Sequence, residues 1–159
     1  MASTETQQLL GAQLRDLVDA LDDAGELRRI DGVDWNLELG AITEMLALRD
    51  GPALLFDHVK GYPPGYRVLT NVTNNPRRVG MLFGLSRRSG GIEIVRAIRD
   101  RFTALQPLDP VEVRSAAYEE QSQVGPQVNL FALPSPLWHE HDGGRYVGTA
   151  CAEIGRAHV

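Results

Sequence analysis

The chain contains one cysteine, one lysine, few aromatic residues and no long apolar run. Each shortage removes a class of explanation. Cys151 has no second cysteine to pair with, so a disulfide framework is excluded and a reducing, cytoplasmic setting is expected. A catalytic thiol is conceivable there, but a small buried strand residue is the better reading of an isolated cysteine. No stretch approaches the roughly 20 apolar residues of a membrane span. The opening Met1-Ala2-Ser3-Thr4-Glu5 lacks the basic and apolar regions of a secretory signal. The formal net charge is −5, a balance that disfavours nucleic acid or an anionic membrane as the main partner.

What is present suffices for one ordinary core, with room for a second, incomplete domain in 159 residues. Leu10, Leu14, Leu17, Val18 and Leu21 recur at helical spacing, and Gly25 supplies a stop, which predicts a helix over about 7–24. A second helix, capped by Asp34 or Asn36, runs through Leu39, Ile42 and Leu46 to the Asp50-Gly51-Pro52 turn. Ala53 to Val59 reads as a strand, Tyr62-Pro63-Pro64-Gly65 as a rigid turn, and Arg67 to Val72 as another strand. Asn75-Pro76 opens a helix toward Leu85, and Gly90-Gly91 separates it from one reaching about Leu105. The predicted core comprises Leu14, Leu17, Leu21, Ile42, Leu46, Leu55, Val68, Leu82 and Ile94. Beyond Gln106, prolines 107, 110, 126, 134 and 136 interrupt short apolar pieces. This texture places a domain boundary near 106–120, after an α/β unit of mixed helices and strands.

Three places invite chemistry. Residues 61–105 carry eight arginines against Glu93 and Asp100, a local excess of six positive charges that could meet an anion; solvated helix faces explain it as well. Ser86-Arg87-Arg88-Ser89-Gly90-Gly91 precedes a helix and could cradle a phosphate. It lacks the spacing of either glycine-rich nucleotide motif, so an interhelix turn is preferred. The densest stretch is Pro134-Ser135-Pro136-Leu137-Trp138-His139-Glu140-His141-Asp142-Gly143-Gly144-Arg145-Tyr146-Val147-Gly148-Thr149. Its prolines hold the run out of helix, Asp-Gly-Gly forces a turn, and Arg145-Tyr146-Val147 is expected to begin a strand. His139, Glu140, His141 and Asp142 have metal-ligand chemistry. In an extended run His139 and His141 share a face while Glu140 points away, leaving no assured third ligand. The favoured reading is a loop whose His and Asp bond the backbone to hold the following strand, with Arg145 in a structural ion pair.

That last stretch resembles the Pro-x-Pro-x-x-His-x-x-Asp-Gly-Gly-Arg/Lys-Tyr-x-x-Thr segment of the UbiD-type decarboxylases, which use prenylated flavin mononucleotide. Similar pieces precede it in the family's order. They are Leu14-Arg15-Asp16-Leu17, Gly25-Glu26-Leu27, Trp35 to Thr43, Gly51 to Phe56, Lys60-Gly61-Tyr62-Pro63-Pro64-Gly65 and Arg67 to Asn71. The resemblance implies an α/β (α+β) amino-terminal domain over 1–105. It also implies a linker and the first part of a split β-barrel flavin-binding domain over 106–152. Thr149 aligns with a threonine beside the prenylated ring system, and on residues alone it is equally an ordinary strand residue. The family's metal ligands and its Glu-Arg-Glu constellation lie downstream of Ala152, so no catalytic or metal-ligating residue is assigned to this chain. The full-length parent is expected to use prenylated FMN with a divalent metal, Mn or Mg, and potassium. It is expected to act on a small-molecule aromatic, heteroaromatic or α,β-unsaturated carboxylic acid, and to be a homo-oligomer. Such a decarboxylation leaves electron density on an sp² carbon that no ordinary side chain absorbs, which is why a cofactor is needed.

Residues 153–159 do not continue the family pattern. Back-translated as GAG-ATC-GGA-AGA-GCA-CAC-GTC they spell a common short-read sequencing adapter, so the tail is expected to be non-native and the natural protein to run past Ala152. The chain alone is then expected to be an inactive amino-terminal fragment. The rival expectation is a self-sufficient, non-catalytic module that binds a partner or an anion through the arginine-rich segment.

Overall fold

The computed structural model describes residues 14–106, 109–112, 114 and 122–147. Helix α1 (Leu14–Asp23) turns Leu17 and Leu21 inward and its aspartates outward. It ends where Gly25 adopts φ 67°: Gly25 N–H reaches Asp22 O at 2.9 Å and Glu26 N–H reaches Leu21 O at 2.8 Å. Glycine has no Cβ to resist that left-handed turn, so the helix stops and the chain reverses. Strand β1 (Leu27–Asp31) follows at once. Nothing in Leu-Arg-Arg-Ile-Asp alternates, because an edge strand with only Leu27 and Ile30 half-buried carries little periodic signal.

Helix α2 (Glu38–Ala47) then crosses to β2 (Ala53–Asp57), which pairs with β1 in parallel from Leu27↔Ala53 to Asp31↔Asp57. Strand β3 (Val68–Thr70) returns antiparallel on the other side of β2, so the order is β1-β2-β3. As the centre strand, β2 is buried on both faces, which accounts for its unbroken apolar run. Both strands are shorter than predicted. Left-handed residues end each one, His58 at φ 49° and Asn71 at φ 58°. Helix α3 (Pro76–Leu82) begins as read: the Asn75 side chain accepts from Arg77 N–H at 2.7 Å, with Pro76 in the first turn. Helix α4 (Gly91–Ala104) completes the unit, and two single 3₁₀ turns, Gly125–Gln127 and Leu130–Ala132, lie in the proline-rich stretch.

The sheet has a core on each face. Leu54 and Phe56 join Leu39, Val33 and Val59 beneath α2, with Trp35, Ile42, Leu46, Val68 and Trp138 packed around them. Ala53 points the other way and joins Leu21 and Met81, between α1 and α3. Leu21, Leu55 and Ile94 are buried as predicted, while Leu17, Ile42, Leu46, Val68 and Leu82 are half-buried. Leu14 is a correction, being 64% exposed. It shares Leu21's helical face, but among the described residues the cluster on that face takes in Leu17 and Leu21 and not Leu14. Leu21→Ala is therefore expected to cost about 2–5 kcal/mol, and Leu17→Ala distinctly less. Urea denaturation checks the order; equal losses at the two positions would contradict this packing.

Two further expectations are corrected. Helix α2 is not capped by Asp34 or Asn36: its first flank is Leu37, at φ 66° and without a side-chain cap. Asp34 instead accepts from Asn36 N–H at 2.9 Å, and Asn36 is held in a long-range bridge with Leu137. Arg145-Tyr146-Val147 forms no strand among the described residues; Tyr146 N–H is taken by Pro136 O at 3.1 Å. Thr149, Cys151 and residues 153–159 lie outside the described residues. No helix among the described residues is long and apolar enough to cross a membrane.

Candidate functional site

Residues 134–147 return from the proline-rich stretch and dock on the α/β unit. Pro134 and Pro136 keep the run extended, so Leu137 can pair in parallel with Asn36. Leu37 N–H donates to Leu137 O at 2.9 Å, and Leu137 N–H donates to Trp35 O at 3.0 Å. The left-handed Leu37 sits at this junction, turning the chain from the pairing into α2; a bulky residue holds that conformation only when its surroundings impose it. One residue later the backbone of Trp138 lies directly on Gly40, where a Cβ would fall 2.0 Å from the Trp138 carbonyl oxygen. Glycine is required by this approach.

The turn that follows is closed by Asp142, whose Oδ2 accepts from His139 N–H at 2.8 Å while its own N–H reaches His139 O at 3.1 Å. This is the backbone-holding role expected of the aspartate. The His139 ring lies 3.7 Å from Glu44 and 3.5 Å from Asp142. Among the described residues no group of three or more His, Cys, Asp or Glu is placed to hold a metal ion.

Arg145 departs from expectation. It makes no ion pair among the described residues. Its guanidinium stacks on Trp35 at 3.9 Å from the ring centroid, with Phe131 at 4.9 Å and Tyr62 at 5.8 Å. Nε donates to Ser135 O at 2.7 Å, and one terminal nitrogen donates to the Tyr62 hydroxyl. Flat faces and lone pairs thus take the place of a carboxylate. Spacing cannot reveal such a cage, because Trp35 and Tyr62 lie on loops far away in sequence.

Between the docked segment and β3 lies a cleft of about 560 Å³. Thr43, Thr70 and Asn71 contribute one wall, and Pro136, His139 and Tyr146 the other. The polar wall is largely self-satisfied: the two threonine hydroxyls are 3.2 Å apart, and Asn71 Nδ2 donates to Thr43 O at 2.9 Å. Such a cleft suits a flat, mainly apolar surface better than a compact ion.

Of the arginines in the arginine-rich segment only Arg78 is buried; most of the others are exposed, several of them paired with carboxylates or a backbone carbonyl. Arg78 is 0% exposed and donates to Glu26 at 2.9 Å, to Gly51 O at 2.9 Å, to Asn71 O at 3.1 Å and to Asn74. Arg77 and Arg87 each lie 3.4 Å from the same Glu26. Arg99 pairs with Asp100, and Arg101 donates to Phe83 O. The Ser86 to Gly91 stretch is the preferred interhelix turn: Ser89 N–H bonds Ser86 O at 2.9 Å, and Glu93 already takes the Gly90 N–H at 3.0 Å. A carboxylate there repels a phosphate.

Residues 18–98 match the model of the 3-octaprenyl-4-hydroxybenzoate carboxy-lyase N-terminal domain. The chain is 38% identical over 143 residues to a pyrrole-2-carboxylic acid decarboxylase of Pseudomonas aeruginosa, covering 85% of this chain and 29% of that protein. It is 28% identical over 152 residues to a ferulic acid decarboxylase of Candida dubliniensis, covering 86% of this chain and 30% of the other. Among solved structures, the closed form of the vanillic acid decarboxylase of Sedimentibacter hydroxybenzoicus superposes with a TM-score of 0.72 at 26% identity, covering 83% of this chain and 28% of that one. Its open form gives 0.69 at 28% identity, covering 83% of this chain and 28% of that one. The chain thus spans less than a third of the length of the relatives it matches.

Proposed function

The chain belongs to the UbiD carboxy-lyase family, and from that membership we propose that it supplies the amino-terminal α/β domain and the entry into the flavin domain of a decarboxylase. The substrate is an aromatic, heteroaromatic or α,β-unsaturated carboxylic acid. Residues 1–105 form the first domain in this reading, 106–152 lead into the split barrel, and 153–159 are foreign to it. The parent is a homo-oligomer.

The observation that carries the reading is the docked segment. Its prolines, Trp138, Asp142, Arg145 and Tyr146 each have a positional task against the α/β unit or within the turn. A free-standing anion-binding module has no use for such a junction, and much of its supposed basic surface is spent on Glu26, Asp100 and backbone carbonyls.

Prenylated FMN, when bound to the parent, supplies the electron sink that decarboxylation needs. The described residues do not by themselves fit that group with its metal. They offer no three-ligand set, and the nearby Arg78 has its donors committed. The contribution of this chain is structural: it fixes the direction of the segment leading to Thr149, the one cofactor contact proposed, and forms a wall of the adjoining cleft. The metal, potassium and acid–base roles fall to the part of the parent that this chain does not span.

The test is carbon dioxide release from a panel of aromatic, heteroaromatic and cinnamic-type acids. It compares the 159-residue chain with the product of the whole source locus, each supplied with prenylated flavin. Turnover only by the longer product is expected. Turnover by the short chain, or none by either, would overturn the proposal.

A further inference from the structure

Arg145 occupies an unusual place in the docked segment. Residues 135–146 form a closed loop: Tyr146 N–H returns to Pro136 O at 3.1 Å, Trp138 Nε1 donates to Tyr146 O at 2.9 Å, and Arg145 Nε donates to Ser135 O at 2.7 Å. All three contacts tie the loop to itself. The Arg145 side chain also reaches outside it, stacking on Trp35 and bonding Tyr62 in the α/β unit while lying under Phe131 of the preceding turn.

We infer that Arg145 is a positioning residue, a latch that fixes the path along which the chain leaves the α/β unit after the Asp142-Gly143-Gly144 turn. The loop's outgoing leg has the backbone bridge at Leu137 and the Gly40 contact. Its returning leg is tied to the outgoing leg through Tyr146, and Arg145 is the residue that fastens it to the α/β unit directly. The guanidinium suits the task because it stacks by its face while donating from its edge in two directions at once. An ammonium is a point charge without a face and cannot do both. The aromatic rings also exclude water from one side of the group. This favours holding the arginine in place over leaving it to a mobile surface pairing. The consequence for catalysis rests on the reading above, in which the segment leads into the flavin domain; the latch itself does not.

The chain carries its own probe, since its two tryptophans, Trp35 and Trp138, both lie at this junction. In a Trp35→Phe background, which keeps a ring face beneath the guanidinium, Trp138 is the sole emitter. Arg145→Ala is expected to shift Trp138 emission to the red and to increase its quenching by acrylamide. Arg145→Lys should fall between Ala and Arg, while far-ultraviolet circular dichroism stays unchanged. Emission and quenching in Arg145→Ala equal to those of the parent would overturn the latch. Should Arg145→Ala fail to fold, Arg145→Lys decides alone: intermediate quenching supports the inference and unchanged quenching refutes it. In the whole-locus enzyme, Arg145→Lys is further expected to lower kcat severalfold with KM little changed. If that enzyme shows no decarboxylation even as wild type, the functional reading falls, while the fluorescence comparison still judges the latch.

Discussion

Gly40→Ala is expected to release residues 134–147 from the α/β unit while leaving the unit folded. A Cβ at position 40 would lie 2.0 Å from the Trp138 carbonyl oxygen, 2.7 Å from its carbon and 2.8 Å from the Trp138 Cα. All three are backbone atoms, so no rotamer change relieves the overlap. Within α2 itself, alanine is favoured over glycine by about 1 kcal/mol. The two effects have opposite signs at two places, which makes the outcome diagnostic. Amide exchange measured by NMR should show Leu37 and Leu137 losing protection together, since each donates across the junction. Leu54 and Leu55 in β2 should keep theirs. Retained protection at both junction amides would show that the segment does not rest on Gly40. A loss spread equally through β2 would mean that the segment is part of the unit's core and not an attachment to it.

How much of this was legible in the sequence depends on the range of the interaction responsible. Gly25, Asn75-Pro76 and Gly90-Gly91 act on their own neighbours within a turn, and the helices stop and start where those residues say they should. Strand β1 was missed because its pattern is set by the partner: Arg28, Arg29 and Asp31 are tolerated on a parallel edge whose hydrogen bonds come from β2. The cap of α2 was misassigned for a related reason. Asn36 is drawn into pairing with Leu137, a residue about 100 positions away, and that pairing outweighs its local capping preference. The importance of Pro134 to Val147 could be read from its composition, but its docking partners could not. Trp35, Tyr62 and Gly40 carry no mark that reveals what sits on them. Arg145 was the sharpest miss, because ion pairing is the default for arginine and a cage of three rings has no linear signature.

Arg78→Met is expected to be the most destabilising single change in the α/β unit, at about 3–5 kcal/mol, the usual cost of stranding one partner of a buried ion pair. The side chain is fully buried, and it ties together four connections at one end of the sheet. These are Glu26 before β1, Gly51 before β2, Asn71 after β3, and Asn74 ahead of α3. Methionine fills most of the volume but donates nothing. Glu26, only 7% exposed, would then rely on Arg77 and Arg87, each at 3.4 Å and each about half-exposed. Those outer contacts are too solvated to replace a buried guanidinium. Two carbonyl oxygens would also lose their donor. Adding Glu26→Leu removes the stranded carboxylate, so the double variant should recover a substantial part of the loss, a non-additivity that two independent sites would not show. Urea denaturation of the four proteins in this cycle measures it. A single-variant loss below about 1 kcal/mol would place Arg78 among solvated pairs and remove it as the fastener of this end of the sheet. A double variant as unstable as the sum of the singles would shift the burden from the Glu26 pair to the carbonyls of Gly51 and Asn71. The cleft would report the difference, because Asn71 and Asn74 lie on its wall and are held there by the same guanidinium.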